Sequence, residues 1–185
     1  MSKALQPFQA ATSDEDSVLI TRFLSGDEGA FSAIYSRYHD KVFSIARGIL
    51  LYPEDAADAV QEIFTLVYRN LVRFDRRSRF STWLFRVAVN RSIQEARRTR
   101  RHRHGELNET LAQTEIEDDG SDPRVSAALA RLSPGDRAVL ALFYWEELSL
   151  TDIGASLGCA PNAAKTRLYR ARERFRAAYE ETADE

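Results

Sequence analysis

The sequence contains one cysteine, Cys159, among 185 residues, so an internal disulfide is excluded and a thiolate metal site would need ligands of another kind. Cys159 is expected to be a small buried apolar residue. Histidine is nearly as scarce: His39, His102 and His104 are the full set, and the two that lie close together stand in an arginine run better suited to phosphate than to a metal. With eight glycines and five prolines, the chain shows neither a glycine-rich phosphate loop nor a nucleophile motif. Catalysis, a bound metal and a cofactor are therefore not expected. The longest apolar run, Ala138 to Trp145, falls far short of the roughly 20 residues that span a bilayer. The opening MSKALQPFQA has no apolar stretch of the signal-peptide kind, and a cytoplasmic location is expected.

Helix-forming residues fill the remainder. Apolar residues make up 44% of the chain and charged residues 29%, a balance typical of folded globular proteins, and long stretches of Ala, Leu, Arg and Glu favour helix over strand. The expected fold is all-α, with two small helical domains, an N-terminal helix bundle and a C-terminal four-helix helix-turn-helix domain, joined by a flexible acidic linker. The expected limits are a loose tail over 1–13, the bundle over 14–104, the linker over 105–124 and the second domain over 125–182.

Periodicity supports this division. Phe31, Ile34, Tyr35, Tyr38, Val42, Ile45 and Ile49 advance by three or four residues and mark one face of an amphipathic helix. Pro53, followed by Glu54 and Asp55, suits the first turn of a second helix. There Val60, Phe64, Val67 and Leu71 form an apolar stripe, and Asp55, Asp58, Gln61, Glu62 and Thr65 lie away from it. A third helix is expected from about Ser81 to Arg100, with Leu84, Val87, Ala88 and either Ile93 or the stem of Arg91 turned inward. The segment GELNETLAQTEIEDDGSDPR then loses periodicity and reads as a tether. Ser133-Pro134-Gly135-Asp136 and Ser149-Leu150-Thr151-Asp152 each place a capping serine three residues ahead of an acid, so helices should begin at both. A turn is expected around Gly158 before a long basic helix.

The formal net charge is only −2, but the charges are segregated. Between Arg73 and Arg103 stand eleven arginines against Asp75 and Glu95, an electrostatic footprint for phosphate in which Arg97, Arg98, Arg100 and Arg101 form the tail. Phe80, Trp83 and Phe85 are interleaved with them. Aromatic faces stack on unpaired bases, and amides such as that of Asn90 hydrogen-bond base edges. Trp83 taken alone fits a core position equally well. In the last helix Ala164, Leu168, Ala171, Phe175 and Ala178 share one side, with Lys165, Thr166, Tyr169, Arg170 and Arg172 off it. Six basic residues from Lys165 to Arg176 face only one acid, Glu173, so self-pairing cannot neutralise this surface. A recognition helix in a DNA major groove fits that pattern.

Three of these segments, in order, resemble the extracytoplasmic-function class of bacterial RNA polymerase sigma factors. DAADAVQEIF is similar to the acidic motif of that family's polymerase-binding helix, FSTWLFRVAVN to its promoter-melting segment, and LSLTDIGASLGCAPNAAKTRLYRARERFR to its second DNA-binding domain. The resemblance covers roughly residues 20–104 and 125–178 and implies a subunit that binds core RNA polymerase, recognises promoter DNA and stabilises the melted strand. It implies that Asp58, Gln61 and Glu62, with Asp55 nearby, grip the polymerase clamp helices. The loop from Phe74 to Ser81, including Arg76, Arg77, Arg79 and Phe80, would cradle a flipped base of the minus-ten element, with Arg86 and Asn90 on the opened strand. Asn162, Lys165, Thr166, Arg167, Tyr169 and Arg170 would face the minus-thirty-five element. An anti-sigma factor is an implied partner.

Ala57 stands where the family usually has a second acid and Gln94 where Asp is common, and Ala160, Asn162 and Ala163 replace the usual Ser, Gly and Thr. The last three bear on which promoter is read. A stand-alone helix-turn-helix regulator, or a sigma-like decoy that occupies an anti-sigma factor, are the alternative readings of the same segments.

Overall fold

The computed structural model describes residues 12–105 and 122–182, and the side chains of 15–99 and 122–182 within them. Most of the expected N-terminal tail and of the expected linker lies outside these residues. Helices α1 (Thr12–Leu24), α2 (Glu28–Leu50), α3 (Pro53–Asn70) and α4 (Phe80–Gly105) form the first bundle, with a single 3-10 turn at Leu71–Arg73. Helices α5 (Pro123–Arg131), α6 (Pro134–Tyr144), α7 (Leu150–Leu157) and α8 (Pro161–Glu181) form the second. The described residues contain no strand.

The first core is built from three stripes. Ile34, Tyr38, Val42, Ile45 and Ile49 of α2 meet Val60, Ile63, Phe64 and Val67 of α3 and Leu84, Phe85, Ala88 and Val89 of α4, all buried. Burying each Val, Leu, Ile or Phe side chain among them stabilises the fold by about 1.5–3 kcal/mol. Tyr35, placed in the α2 stripe by its spacing, is instead 39% exposed. It lies at the edge of the stripe, its ring centroid 4.6 Å from that of Phe64. Leu51 ends α2 in the left-handed region at φ 75°, and its amide reaches back to the carbonyl of Arg47. Pro53 then opens α3 as expected, with Glu54 and Asp55 in the first turn.

Polar contacts hold α1 in place. Asp16 is 3% exposed; it accepts a hydrogen bond from the Tyr38 hydroxyl at 2.7 Å and one from Arg37 Nη1 at 3.0 Å. Arg37 also pairs with Glu15. A buried carboxylate needs such partners, because leaving it without them costs its full desolvation.

In the second bundle both expected caps are formed. Ser133 Oγ accepts the Asp136 amide at 3.1 Å and donates to the Asp136 carboxylate at 2.7 Å. Ser149 and Asp152 repeat the arrangement at 3.1 and 2.6 Å. Asp136 further accepts from Arg174 Nη1 of α8 at 2.7 Å, so one acid both completes a cap and clamps the last helix.

The bundles pack against each other, α6 on α2 and α7 on α4. Gly48 permits the approach: a Cβ placed there would stand 1.8 Å from Trp145 Cζ3 and 2.9 Å from the Ala141 Cβ. Arg137, 8% exposed, donates from Nε to the Ile49 carbonyl across this junction at 2.7 Å and from Nη1 to Leu132 O at 3.0 Å.

Asp16→Ala is expected to cost about 2–3 kcal/mol and Tyr38→Phe about 1 kcal/mol, measured by urea unfolding at neutral pH. Burial and the Asp16 carboxylate raise the Tyr38 phenol above its ordinary range. The neutral phenol therefore supports the fold fully below the unfolded value near 10, and that contribution is lost as pH rises further and the unfolded chain ionises. Tyr38→Phe should remove this alkaline component of the pH–stability curve.

Candidate polymerase and nucleic-acid interfaces

The polar face of α3 follows from its stripe. With Val60, Ile63, Phe64 and Val67 buried, the helix turns Asp58, Gln61 and Glu62 outward, and all three are exposed. Asp55 is half-buried and lines a cleft of about 440 Å³ between the bundles with Leu50, Tyr52, Ala96, Arg131 and Arg137. Glu62 is tied to α4 by Arg91, which also pairs with Glu95 at 3.2 Å. Arg91 is 18% exposed. The sequence left Ile93 or the stem of Arg91 as the inward residue, and both are half-buried; the role of Arg91 as a tether between two helices was not legible.

Where α3 gives way to α4, three rings close the end of the first core. Phe74 lies 5.7 Å from Phe80 and 5.4 Å from Trp83, and Phe80 lies 5.8 Å from Trp83 and 5.5 Å from Tyr38. Phe80, Ser81 and Phe85 are 3%, 7% and 2% exposed. Phe80 and Ser81, expected from the sequence to face a strand, are in this structure interior groups that shape the loop, and Phe85 takes the core position that aromatics at helical spacing usually fill. The reason is helical phase: α4 begins at Phe80, which turns its first residues back onto the core. Phe74 and Trp83 are half-buried. Trp83 serves both readings, with rings on one side and an open cleft of about 460 Å³ on the other, shared with Ser78, Thr82 and Arg86.

Between the rings the loop presents arginines. Arg76 adopts φ 57° and donates to Thr21 Oγ1 at 2.9 Å, Arg77 pairs with Asp75 at 3.3 Å, and Arg79 is exposed. Along α4, Arg86, Asn90 and Arg97 are exposed at spacings of four and seven residues, which places them in one stripe. Arg98 is exposed and paired with Glu95 at 2.9 Å. The side chains of Arg100 and Arg101 lie outside the described residues.

The second bundle supplies a separate surface. Gly158 takes φ 66° and its neighbour Cys159 donates its amide to Gly154 O at 2.8 Å, giving the tight turn between α7 and α8. Cys159 itself is half-buried rather than fully enclosed. Ala164, Leu168, Ala171 and Ala178 are buried, and Asn162, Lys165, Thr166, Arg167, Tyr169 and Arg170 are exposed. The six basic residues do not act as one face. Arg172 lies over the Phe143 ring at 4.7 Å, Arg174 is bound to Asp136 and Arg176 pairs with Glu173 at 3.8 Å. Those three are exposed as well but engaged within the fold, so the basic surface most open to an outside partner is the N-terminal half of α8.

Residues 34–102 match the family model of sigma-70 region 2 and residues 123–175 that of sigma-70 region 4. The ECF RNA polymerase sigma factor SigW of Bacillus subtilis is 32% identical over 175 residues, spanning 85% of this chain and 92% of that protein. The chain belongs to the extracytoplasmic-function sigma factors. SigM of Mycobacterium tuberculosis is a further relative, 30% identical over 86% of this chain and 82% of its own. Among solved structures, CnrH in complex with the cytosolic domain of CnrY superposes with a TM-score of 0.69 at 28% identity, covering 90% of this chain and 98% of CnrH. As an alternative sigma factor, the protein binds core RNA polymerase and promoter DNA to initiate transcription. None of the described helices is long and apolar enough to cross a membrane.

The geometry separates structural from outward-facing members of the α4 segment. Phe80→Ala is expected to cost about 3–5 kcal/mol of stability, whereas Asn90→Ala should stay within about 0.5 kcal/mol. Chemical denaturation of the two variants checks the division.

Proposed function

We propose that this sigma factor divides promoter recognition between its two outward surfaces and grips the polymerase with a third. Lys165, Arg167 and Arg170, with Asn162, Thr166 and Tyr169, read the minus-thirty-five element in the major groove. Arg86 and Asn90 on α4, with Trp83 and the loop arginines 76, 77 and 79, hold the opened minus-ten strand by phosphate contact and base stacking. Arg97, with Arg98, Arg100 and Arg101, extends the phosphate track. Asp58, Gln61 and Glu62 meet the clamp helices of the polymerase, with Asp55 at the margin. The observation that carries this reading is the placement of the α4 stripe directly beside the acidic face of α3, joined through Arg91 and Glu62, so that strand capture occurs at the polymerase surface.

Each DNA contact is weak by itself. Held in one chain on one polymerase, each raises the effective concentration of the other, which makes the pair selective and leaves the isolated factor a poor promoter binder. The factor works in the cytoplasm and carries no catalysis of its own. Its inhibitory partner is an anti-sigma factor; the relative CnrH is solved with the cytosolic domain of CnrY bound.

Run-off transcription with core polymerase on genomic promoter fragments should yield transcripts that share a pair of upstream elements; a folded, uninhibited preparation giving none overturns the reading. Asp58→Arg with Gln61→Arg should abolish association with the polymerase and leave circular dichroism unchanged. Lys165→Ala with Arg170→Ala removes contacts worth about 1–3 kcal/mol each. That variant should lose roughly 30-fold or more on duplex promoters, since every 1.4 kcal/mol is about tenfold, and little on a pre-opened template.

A further inference from the structure

Among the exposed groups Asp58, Gln61 and Glu62 of α3, only Glu62 has its side chain held by another element of the described fold. Arg91 of α4 donates from Nε to Glu62 Oε2, and Nη2 closes on the same oxygen. Nη2 also reaches Glu95 Oε2 at 3.2 Å, while Glu95 Oε1 takes Arg98 Nη2 at 2.9 Å. Arg91 and Glu95 are 18% and 15% exposed, Glu62 52%. Gln94 is neutral and lies 3.5 Å from Arg91 Nη1, a distance that draws little of the guanidinium away. Among the described residues, the carboxylate oxygen of this set left without a partner is Glu62 Oε1, on the more exposed of the two acids.

A glutamate on a helix surface keeps much of its rotamer freedom and gives it up when a partner orders it. Arg91 removes that freedom beforehand. Its planar fork sends donors in fixed directions, Glu95 sets where the fork stands, and seating one oxygen of Glu62 on it leaves the other for a donor from outside. An ion pair whose acid is half exposed adds little to stability; its effect is on the orientation of that acid. Asp58, one turn earlier on the same face, has no such support.

We propose that Arg91 is a positioning residue for the polymerase contact: it does not touch the polymerase, and it holds Glu62 so that Oε1 meets a hydrogen-bond donor of the clamp helices without further ordering. This role deepens the placement of the α3 face against the polymerase and rests on it. A helix whose outward stripe is assigned to nucleic acid thereby also sets how tightly core polymerase takes up the factor, through a residue lying off the stripe of Arg86, Asn90 and Arg97.

The affinity of the full chain for core polymerase, read by anisotropy of a labelled factor, tests this in a double-mutant cycle. Arg91→Met keeps the stem of the side chain and removes the fork; it should weaken binding about two- to tenfold, the effect of one side chain no longer ordered in advance. In a Glu62→Ala background the same change should have no effect, because no carboxylate is left to hold. In an Asp58→Ala background it should weaken binding as much as in the wild type. A general loosening of α3 against α4 would weaken binding in every background alike, and that result overturns the proposal. So does Arg91→Met with wild-type affinity, or with tighter binding, which would mean that Arg91 sequesters the carboxylate. Glu62→Ala with wild-type affinity instead removes the assignment of Glu62 to the polymerase. Urea unfolding accompanies each variant; should Arg91→Met be destabilised, Arg91→Lys, which keeps the charge without the planar fork, enters the same cycle with the same expected outcomes.

Discussion

A helix advances 100° per residue, so burying Leu84, Phe85, Ala88 and Val89 of α4 leaves no freedom over where Arg86, Asn90 and Arg97 point. This phase constraint organises the first bundle. The same helical phase that seats Phe80 and Ser81 inside carries Arg86, Asn90 and Arg97 outward in the turns that follow, and the aromatic trio of Phe74, Phe80 and Trp83 packs beneath the loop that presents Arg76, Arg77 and Arg79. On the proposed assignment of these side chains to the opened strand, affinity for nucleic acid is built on a rigid core rather than on a mobile arm.

Charge is used inside the fold as well as on its surface. Asp16 fastens α1, Asp136 joins a helix cap to α8, and Arg137 crosses between bundles to an α2 carbonyl. Each is buried and each has its partners. Removing one member of such a set leaves the other unsatisfied in a low-dielectric setting, so these residues resist substitution for structural reasons. The outward arginines of α4 and of the first half of α8, Arg86, Arg97, Arg167 and Arg170, lack that constraint.

Much of this was legible in the sequence wherever the signal is local. The serine caps at 133 and 149, the proline that opens α3, the glycine turn at 158 and the stripes of α3 and α8 depend on residues within a few positions of one another. What escaped was set by distance in the chain. The link of Asp16 to Tyr38, of Glu62 to Arg91 and of Arg137 to Ile49 needs the packed fold to bring the partners together. Phe80 and Ser81 are strand-facing by the family resemblance of their segment, Phe80 also as an aromatic among arginines; helical phase put both in the core. The basic character of α8 was plain, but its division into an outward half and a half consumed by Phe143, Asp136 and Glu173 required the partners' positions.

That division bears on how promoter preference can drift. The outward face from Asn162 to Arg170 extends about 12 Å along the helix, the length of roughly three to four base pairs at 3.4 Å each. On the proposed assignment of this face to the minus-thirty-five element, the window can change without loosening the domain, whereas Arg172 and Arg174 are committed to the fold. New specificities are therefore accessible through a handful of side chains in the first two turns of α8, where Ala160, Asn162 and Ala163 already depart from the family's usual residues. A chain of this kind can acquire a new regulon by small substitutions at one helix end and keep its stability untouched.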